Sequence, residues 1–227
     1  MLVYGKNASL EALKKGEVEK VYLSKNFDDE KLLKLIGNKK VIYLTDGEMG
    51  RFGKNHQGIA IEIKDYEFYD IDTVYNDKNS DFIVVLDHLE DPHNFGAILR
   101  TCECAGVDYI IIPNKRSVTV NETVMKTSAG ALMNSKIASV ANIRTTLERL
   151  KKLGYWVVGL EADGVDYKTI DYSGKTVLVV GSEGFGLKHI VRESCDTIAS
   201  LPMKGEITSL NASVAAGIMI YEVLRGK

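Results

Sequence analysis

Apolar positions along the chain fall into short runs that alternate with amphipathic stretches. Near the start, strand-like runs at 2–4, 18–23, 41–44 and 59–63 are separated by helix-like stretches at 9–15 and 28–36. The second helix-like stretch is followed at once by Gly37, a common helix terminator. This alternation predicts a small α/β unit at the start of the chain, which we bound at residues 1–70.

Residues 64–81 are rich in Asp, Asn, Lys and Tyr and lack a sustained apolar period. We expect a linker there and place it at 71–80. Beyond it, continuous apolar runs at 82–86, 109–112, 156–160 and 177–180 are typical of strands buried on both faces of a parallel sheet. Helices are predicted at 145–153 and 210–224. The sequence therefore predicts an α/β fold whose second domain, residues 81–227, has a mostly parallel sheet.

Composition and charge narrow the class of protein. Hydrophobic residues make up 45% and charged residues 26% of the chain, which excludes a disordered or fibrous protein. No apolar run is long enough to span a membrane, and the first residues do not resemble a signal peptide, so we expect a cytoplasmic protein without a membrane partner. Three cysteines offer neither paired disulfides nor a zinc spacing, and we interpret them as small buried hydrophobes.

A polar loop at 87–94 leads from a strand into a predicted helix. Asn94 is expected to be its N-cap, and Phe95, Ile98, Leu99 and Cys102 form an apolar stripe at helical spacing. Arg100 then points away from that stripe, close to a helix N-terminus of the kind that binds anions. A metal site at His88 and His93 is an alternative, but Pro92 and Asn94 fit turn and cap chemistry better, and we expect no metal.

Two further loops follow predicted strands. The sequence from Gly181 to Gly186 has the order G-x-x-G-x-G, which differs from the dinucleotide fingerprint but lets the backbone at Gly181 approach a ligand. Glu183 within it is expected to be solvated. In the loop 201–211, Ser209 and Asn211 flank Leu210 before a helix of small residues, and capping alone would explain only one of the two.

These loops carry three ordered motifs, DPHNFGAILRT at 91–101, VVGSEGFGL at 179–187 and LPMKGEITSLNASVAAG at 201–217. With them the sequence resembles the SpoU/TrmH family of RNA ribose 2′-O-methyltransferases. Residues 4–8, 56–58 and 116–117 also resemble the subgroup that methylates a guanosine of large-subunit (23S) ribosomal RNA.

The resemblance implies a C-terminal domain with a trefoil knot, a homodimer formed through that domain, and an N-terminal RNA-binding domain similar to ribosomal protein L30e. It implies S-adenosylmethionine as methyl donor, bound by Leu160, Gly181, Leu201, Met203 and Leu210. It also implies a catalytic Arg100 assisted by Asn94, Glu183, Ser209 and Asn211.

RNA binding needs a local basic patch, because the net charge of the chain is −2. Our candidates are Lys6, the loop residues Arg51, Lys54 and His56, and Arg116. Arg100 is either the base or a stabiliser of the developing alkoxide, since a guanidinium group stays protonated. Transfer RNA as the substrate and a non-catalytic RNA-binding protein are the alternative functions, and retention of both Arg100 and the glycine loop argues against the second.

Overall fold

The computed structural model describes residues 1–227 and shows two compact units. The first comprises Met1–Glu67 and Thr119–Asn134, and the second comprises Phe68–Val118 and Ser135–Lys227. The chain therefore enters the second unit, returns to the first for one short segment, and then completes the second.

The first unit contains a four-stranded mixed sheet in the order β1-β4-β2-β3. Its strands are β1 (Leu2–Tyr4), β2 (Val18–Ser24), β3 (Val41–Leu44) and β4 (Ile59–Ile63). Only β2 and β3 are parallel. Its helices are α1 (Lys6–Lys15), α2 (Glu30–Ile36), α3 (Asp46–Met49) and α6 (Glu122–Thr127), and 3-10 turns lie at Gly50–Phe52 and Ala131–Met133.

The returning segment, Thr119–Asn134, is a part of the first unit that the hydrophobic pattern did not reveal. Helix α6 packs against β1, and Lys126 Nζ lies 4.8 Å from the centre of the Tyr4 ring. Gly130 has a φ of +91°, and a Cβ there would lie 2.9 Å from Cβ of Glu11. The segment thus completes the first unit through close packing, although the sequence places it far from residues 1–67.

The second unit is built on six parallel strands in the order β10-β8-β9-β5-β6-β7. They are β5 (Phe82–Leu86), β6 (Tyr109–Pro113), β7 (Ile137–Val140), β8 (Trp156–Asp166), β9 (Thr176–Val180) and β10 (Thr197–Ser200). Every residue of β5, β6 and β9 is buried, as expected for strands covered on both faces. The prediction of an α/β fold with a mostly parallel sheet is confirmed.

Five helices complete the second unit: α4 (Ile71–Asn76), α5 (Pro92–Ala105), α7 (Ile143–Lys152), α8 (His189–Arg192) and α9 (Ala212–Gly226). Helix α4 lies within the stretch expected to be a linker and buries Val74 in the core of the second unit. A single buried side chain gives no periodic signal, so the pattern could not reveal this helix.

The start of α5 differs from the prediction that Asn94 is the N-cap. Asp91 caps the helix instead, accepting hydrogen bonds from the backbone N–H groups of His93 (3.3 Å) and Asn94 (2.9 Å). Pro92 fits the first helical position because it has no N–H to satisfy. The predicted apolar stripe is buried and Arg100 is exposed, as expected. The Asn94 side chain, relieved of capping, is free to bond elsewhere.

The cysteines match their predicted burial only in part. Cys102 is buried in the apolar stripe of α5. Cys195 is half-buried, and burial raises the pKa of its thiol to about 12. Cys104 is exposed on the outer face of the same helix, so the prediction was wrong there.

None of the helices combines the length and the hydropathy needed to span a membrane.

Candidate functional site

Four neighbouring strands, β10, β8, β9 and β5, end at the same edge of the parallel sheet. Parallel sheets bind ligands at the carboxyl ends of their strands, and the predicted site residues follow these ends. Leu201 follows β10, Gly181 follows β9, and Leu160 is the last residue of β8 to pair with β9. The order of the strands therefore gathers segments that are far apart in sequence.

A cleft of about 660 Å³, here called the larger cleft, opens at this edge. All five residues predicted to bind the cofactor line it, and so do Glu183, Ser209 and Asn211. Its volume lies in the range of small-molecule sites. Leucine and methionine side chains give it apolar walls, while the glycine loop and residues 208–212 bring backbone groups to its surface.

Asn211 joins the three polar segments of the predicted site. Its side-chain Nδ2 donates to Asn94 Oδ1 at 3.0 Å and to Glu183 Oε1 at 2.6 Å. Its Oδ1 caps α9 by accepting from the backbone N–H groups of Ser213 (3.0 Å) and Val214 (3.3 Å). The cap fixes the orientation of the amide, so that both N–H donors are directed at the other two predicted residues. Glu183 is exposed, as expected, but it is hydrogen-bonded and not merely solvated.

Arg100 stands apart from this cluster. It is exposed on α5, does not line the larger cleft, and makes no hydrogen bond or ion pair within the chain. Its guanidinium group is therefore available to an external anion or to a developing negative charge. The structure thus brings together four of the five residues predicted to be catalytic and leaves the fifth facing solvent.

The glycine loop is closed by its own backbone. Ser182 and Gly186 exchange two hydrogen bonds, of 3.1 and 3.0 Å. A Cβ on Gly181 would lie 2.2 Å from the carbonyl carbon of Gly186, so no other residue fits without moving the loop. The backbone of the loop itself therefore requires glycine at position 181, a reason that the sequence analysis did not anticipate.

Two carboxylates that the sequence analysis did not single out for this role hold the C-terminal end of the glycine loop. Asp87, fully buried after β5, accepts from the backbone N–H of Lys188 at 2.7 Å and also contacts His88 Nδ1. Glu161 accepts from the backbone N–H of Leu187 at 2.5 Å. Glu161 lies where the register of β8 against β10 jumps, from Gly159 opposite Ile198 to Val165 opposite Ala199. The sequence feature that could have identified both carboxylates is their position directly after an apolar run.

The candidate RNA-binding residues lie in both units. Lys6, Arg51, Lys54 and His56 belong to the first unit and Arg116 to the second. Lys6 Nζ is 3.1 Å from Asp29 Oδ2, and Arg51 stacks 4.6 Å from the centre of the Phe52 ring. His56 Nδ1 accepts from the backbone N–H of Gly58 at 3.0 Å.

Of the two histidines considered for a metal, His88 contacts Asp87, and no group of three potential ligands forms around them.

Comparisons with known proteins match both parts of the chain. The model of the SpoU rRNA Methylase family matches residues 81–221, and a model for RNA 2′-O ribose methyltransferase substrate binding matches residues 2–69. A protein of Staphylococcus saprophyticus, described as belonging to the TrmH family of tRNA/rRNA methyltransferases, is 40% identical over 99% of this chain and 95% of its own length.

Solved structures share the fold. The SpoU methyltransferase AviRb from Streptomyces viridochromogenes, in complex with AdoMet, has a TM-score of 0.85 at 23% identity, over 99% of this chain and 89% of that one. The A. aeolicus TrmH/SpoU tRNA modifying enzyme has a TM-score of 0.59 at 34% identity, over 69% of this chain and 80% of its own. The matched models and the S. saprophyticus relative cover both units, and the chain belongs to the SpoU/TrmH family of S-adenosylmethionine-dependent RNA methyltransferases.

Proposed function

We propose that this protein methylates the ribose 2′-hydroxyl of a guanosine in 23S ribosomal RNA. The observation that carries the proposal is the hydrogen-bonded cluster of Asn94, Glu183 and Asn211 beside the larger cleft. A polar cluster at the edge of an apolar cleft provides a place for a reacting hydroxyl next to a place for a methyl donor.

The larger cleft fits S-adenosylmethionine. Leu160, Leu201 and Leu210 offer apolar walls for an adenine ring, and the absence of a side chain at Gly181 lets the loop close against the backbone of Gly186. Met203 extends the apolar wall at the exposed side. When bound, the donor supplies a methyl group already activated by a positively charged sulfur.

The protein's own residues then position and deprotonate the hydroxyl. Asn211 and Glu183 offer a donor and an acceptor to the ribose, and Ser209 adds a hydroxyl to the same wall of the cleft. The Glu183 carboxylate takes the proton of the hydroxyl, and Arg100, free of internal partners, stabilises the oxygen as that proton leaves and engages the RNA backbone. The new bond from the oxygen to the methyl carbon forms as the bond from that carbon to sulfur breaks.

The first unit would bind the RNA, and the second would form a homodimer. Support for RNA binding comes from the substrate-binding model matched at 2–69 and from the basic residues Arg51 and Lys54. Support for dimerisation comes from the outer face of α9, where Val214, Ile218, Tyr221 and Leu224 recur at helical spacing and are 50%, 39%, 50% and 40% exposed.

Methyl transfer by the purified protein tests the function. The full-length protein is incubated with radiolabelled S-adenosylmethionine and with either transcribed 23S rRNA or tRNA, and labelled nucleosides are separated after digestion. We expect 2′-O-methylguanosine in rRNA, and a hundredfold or greater loss of activity, on the order expected for one stabilising group, in Arg100→Ala with donor binding retained.

Arg144→Ala is the matched control, because Arg144 is an exposed helical arginine that pairs only with Glu148. Its activity should equal that of the wild type. Methylation of tRNA instead of rRNA would support the alternative substrate, and full activity of Arg100→Ala would overturn the assignment of that residue.

A further inference from the structure

A second cavity lies against the glycine loop, at the side away from the larger cleft. This smaller cavity measures about 460 Å³, and its lining includes His88, Glu90, Arg116, Phe185 and Lys188. Residues 182, 183, 185 and 186 line both spaces, so the glycine loop is their common wall. A molecule held in the smaller cavity can therefore reach the larger cleft around one short loop.

Arg116 and Glu90 offer the smaller cavity a free donor group and a free acceptor group. Both side chains are exposed, and neither makes a hydrogen bond or ion pair within the chain. The other carboxylates of the lining are engaged, since Asp91 caps α5 and Glu183 bonds Asn211. A ligand that pairs with both a guanidinium and a carboxylate fits this cavity.

The charge of the lining argues against a simple phosphate site. Glu90, Asp91 and Glu183 outnumber the two cations, Arg116 and Lys188. A dianion would meet more repulsion than attraction there. A neutral ligand that carries donors on one edge and acceptors on another avoids this repulsion, and nucleobases are such ligands.

The turn that carries Arg116 is held in an unusual conformation. Arg116 has a φ of +51° and His88 a φ of +58°, a region that residues other than glycine seldom adopt. Two hydrogen bonds to the Leu89 carbonyl, from Val118 N (2.7 Å) and Ser117 Oγ (3.3 Å), hold this turn against the segment that carries His88. These two strained residues line the same cavity, as is common where side chains are fixed for binding.

Phe185 supplies an aromatic surface at the rim. Its side chain is 92% exposed, although an aromatic ring in solvent contributes nothing to the stability of the fold. RNA-binding proteins stack unpaired bases on such rings. Its position on the common wall places a stacked base next to the glycine loop.

We propose that the smaller cavity binds the base of the nucleotide to be methylated, and that this base is guanine. Glu90 accepts from the adjacent N1–H and N2–H groups, Arg116 donates to O6 or N7, and Phe185 stacks on the ring. Adenine presents an acceptor at N1, which a carboxylate repels, and pyrimidines lack the second ring. The ribose then lies at the common wall beside the larger cleft. This assignment rests on the proposed function.

The experiment compares bases at the methylated position. The position is first mapped in 23S rRNA treated with the wild-type protein, and ligated transcripts then carry guanosine, inosine or adenosine there. Inosine lacks only the N2 amino group. We expect kcat/KM of the wild type to fall about tenfold or more on inosine and further on adenosine.

The variants separate recognition from folding and from donor binding. Glu90→Gln should methylate guanosine and inosine at similar rates, whereas Arg116→Ala and Phe185→Ala should lower kcat/KM on both about tenfold. Calorimetry should show unchanged affinity for S-adenosylmethionine in Glu90→Gln and Arg116→Ala, because neither residue lines the larger cleft. Lys115→Ala and Glu193→Gln are matched controls, because neither residue lines the smaller cavity, and they should behave as the wild type.

The outcomes distinguish the two proposals. A Glu90→Gln protein that discriminates inosine as the wild type does would overturn the base pocket while leaving the proposed function intact. A target base other than guanine would overturn the base pocket and the choice of guanosine together, while methyl transfer to RNA would stand. No transfer from the wild type to any RNA would overturn the proposed function, and the base pocket with it.

Discussion

Asn211 is the residue on which the candidate site depends most. One atom of its amide caps α9 and the other donates to Asn94 and Glu183. Capping uses only the amide oxygen of Asn211. The amide nitrogen, which bonds the other two predicted residues, is the group that indicates a role in the reaction. Sequence reasoning noted that one of Ser209 and Asn211 exceeds what capping requires, and the structure shows that a single residue performs both tasks.

Asn211→Asp separates these two tasks. Aspartate is as good an N-cap as asparagine, so the midpoint of thermal unfolding should stay within about 2 °C. Aspartate cannot donate to Asn94 or Glu183, and its charge repels Glu183, so methyl transfer should fall about tenfold or more. Differential scanning fluorimetry and the radiolabel assay measure the two effects.

Asn142→Asp provides the control for that change. Asn142 caps α7 in the same unit by accepting from Thr145 N at 3.2 Å, and it does not line the larger cleft. Both stability and activity should be unchanged in this variant. Equal activity of Asn211→Asp and Asn142→Asp would show that the amide donors of Asn211 have no role in the reaction.

Among the elements, the glycine loop forms the common wall of the two cavities, and its backbone leaves no space for a side chain at Gly181. In Gly181→Ala the added methyl group would meet the backbone of Gly186, so the loop must open. We expect affinity for S-adenosylmethionine to fall at least about tenfold, or about 1.4 kcal/mol, by calorimetry. Gly174→Ala is matched to it, because no atom lies within 4 Å of the added Cβ, and it should bind normally. Equal affinities would place the donor away from the loop.

The elements also show where sequence reasoning succeeds and where it fails. Strands β5, β6 and β9 were predictable because burial on both faces leaves an unbroken apolar run. The three loops were predictable because polar and glycine residues follow those runs. The roles of Asp87 and Glu161 were not, since backbone N–H groups more than 25 residues away are their partners. The clustering of Thr119–Asn134 with the first unit depends on packing that no local pattern encodes.

For the whole molecule, the exposed face of α9 predicts self-association. Ile218→Arg places a charge in that face, and charge burial would oppose pairing of two copies. Light scattering should show twice the chain mass for the wild type and a single chain mass for the variant at micromolar concentration. Leu33→Arg is the control, because Leu33 has a matching exposure of 38% on a helix of the first unit. A monomeric wild type would contradict the proposal.

RNA binding by the first unit is best tested with the full chain. Removing residues 1–75 would leave α6 without the strand on which it packs, so truncation would confound folding with recognition. The double variant Arg51→Ala, Lys54→Ala should instead reduce the salt dependence of RNA affinity by about one to two phosphate contacts. Binding measured across a series of salt concentrations gives this slope, and an unchanged slope would exclude the patch.

The trefoil knot and the likeness to ribosomal protein L30e, both implied by the family resemblance, stay predictions. A cleft for the methyl donor is compatible with either rRNA or tRNA, so the two substrates are distinguished by mapping the methylated nucleotide.

Mapping of ribose methylation in cells tests the central claim most directly. Ribosomal and transfer RNA from cells lacking this protein would be compared with RNA from cells complemented with the wild type, Arg100→Ala or Arg144→Ala. We predict that one 2′-O-methylguanosine of 23S rRNA disappears and returns with the wild type and Arg144→Ala, but not with Arg100→Ala. The proposed function would be contradicted if RNA from cells lacking the protein carried every ribose methyl group found in the complemented cells, in both rRNA and tRNA.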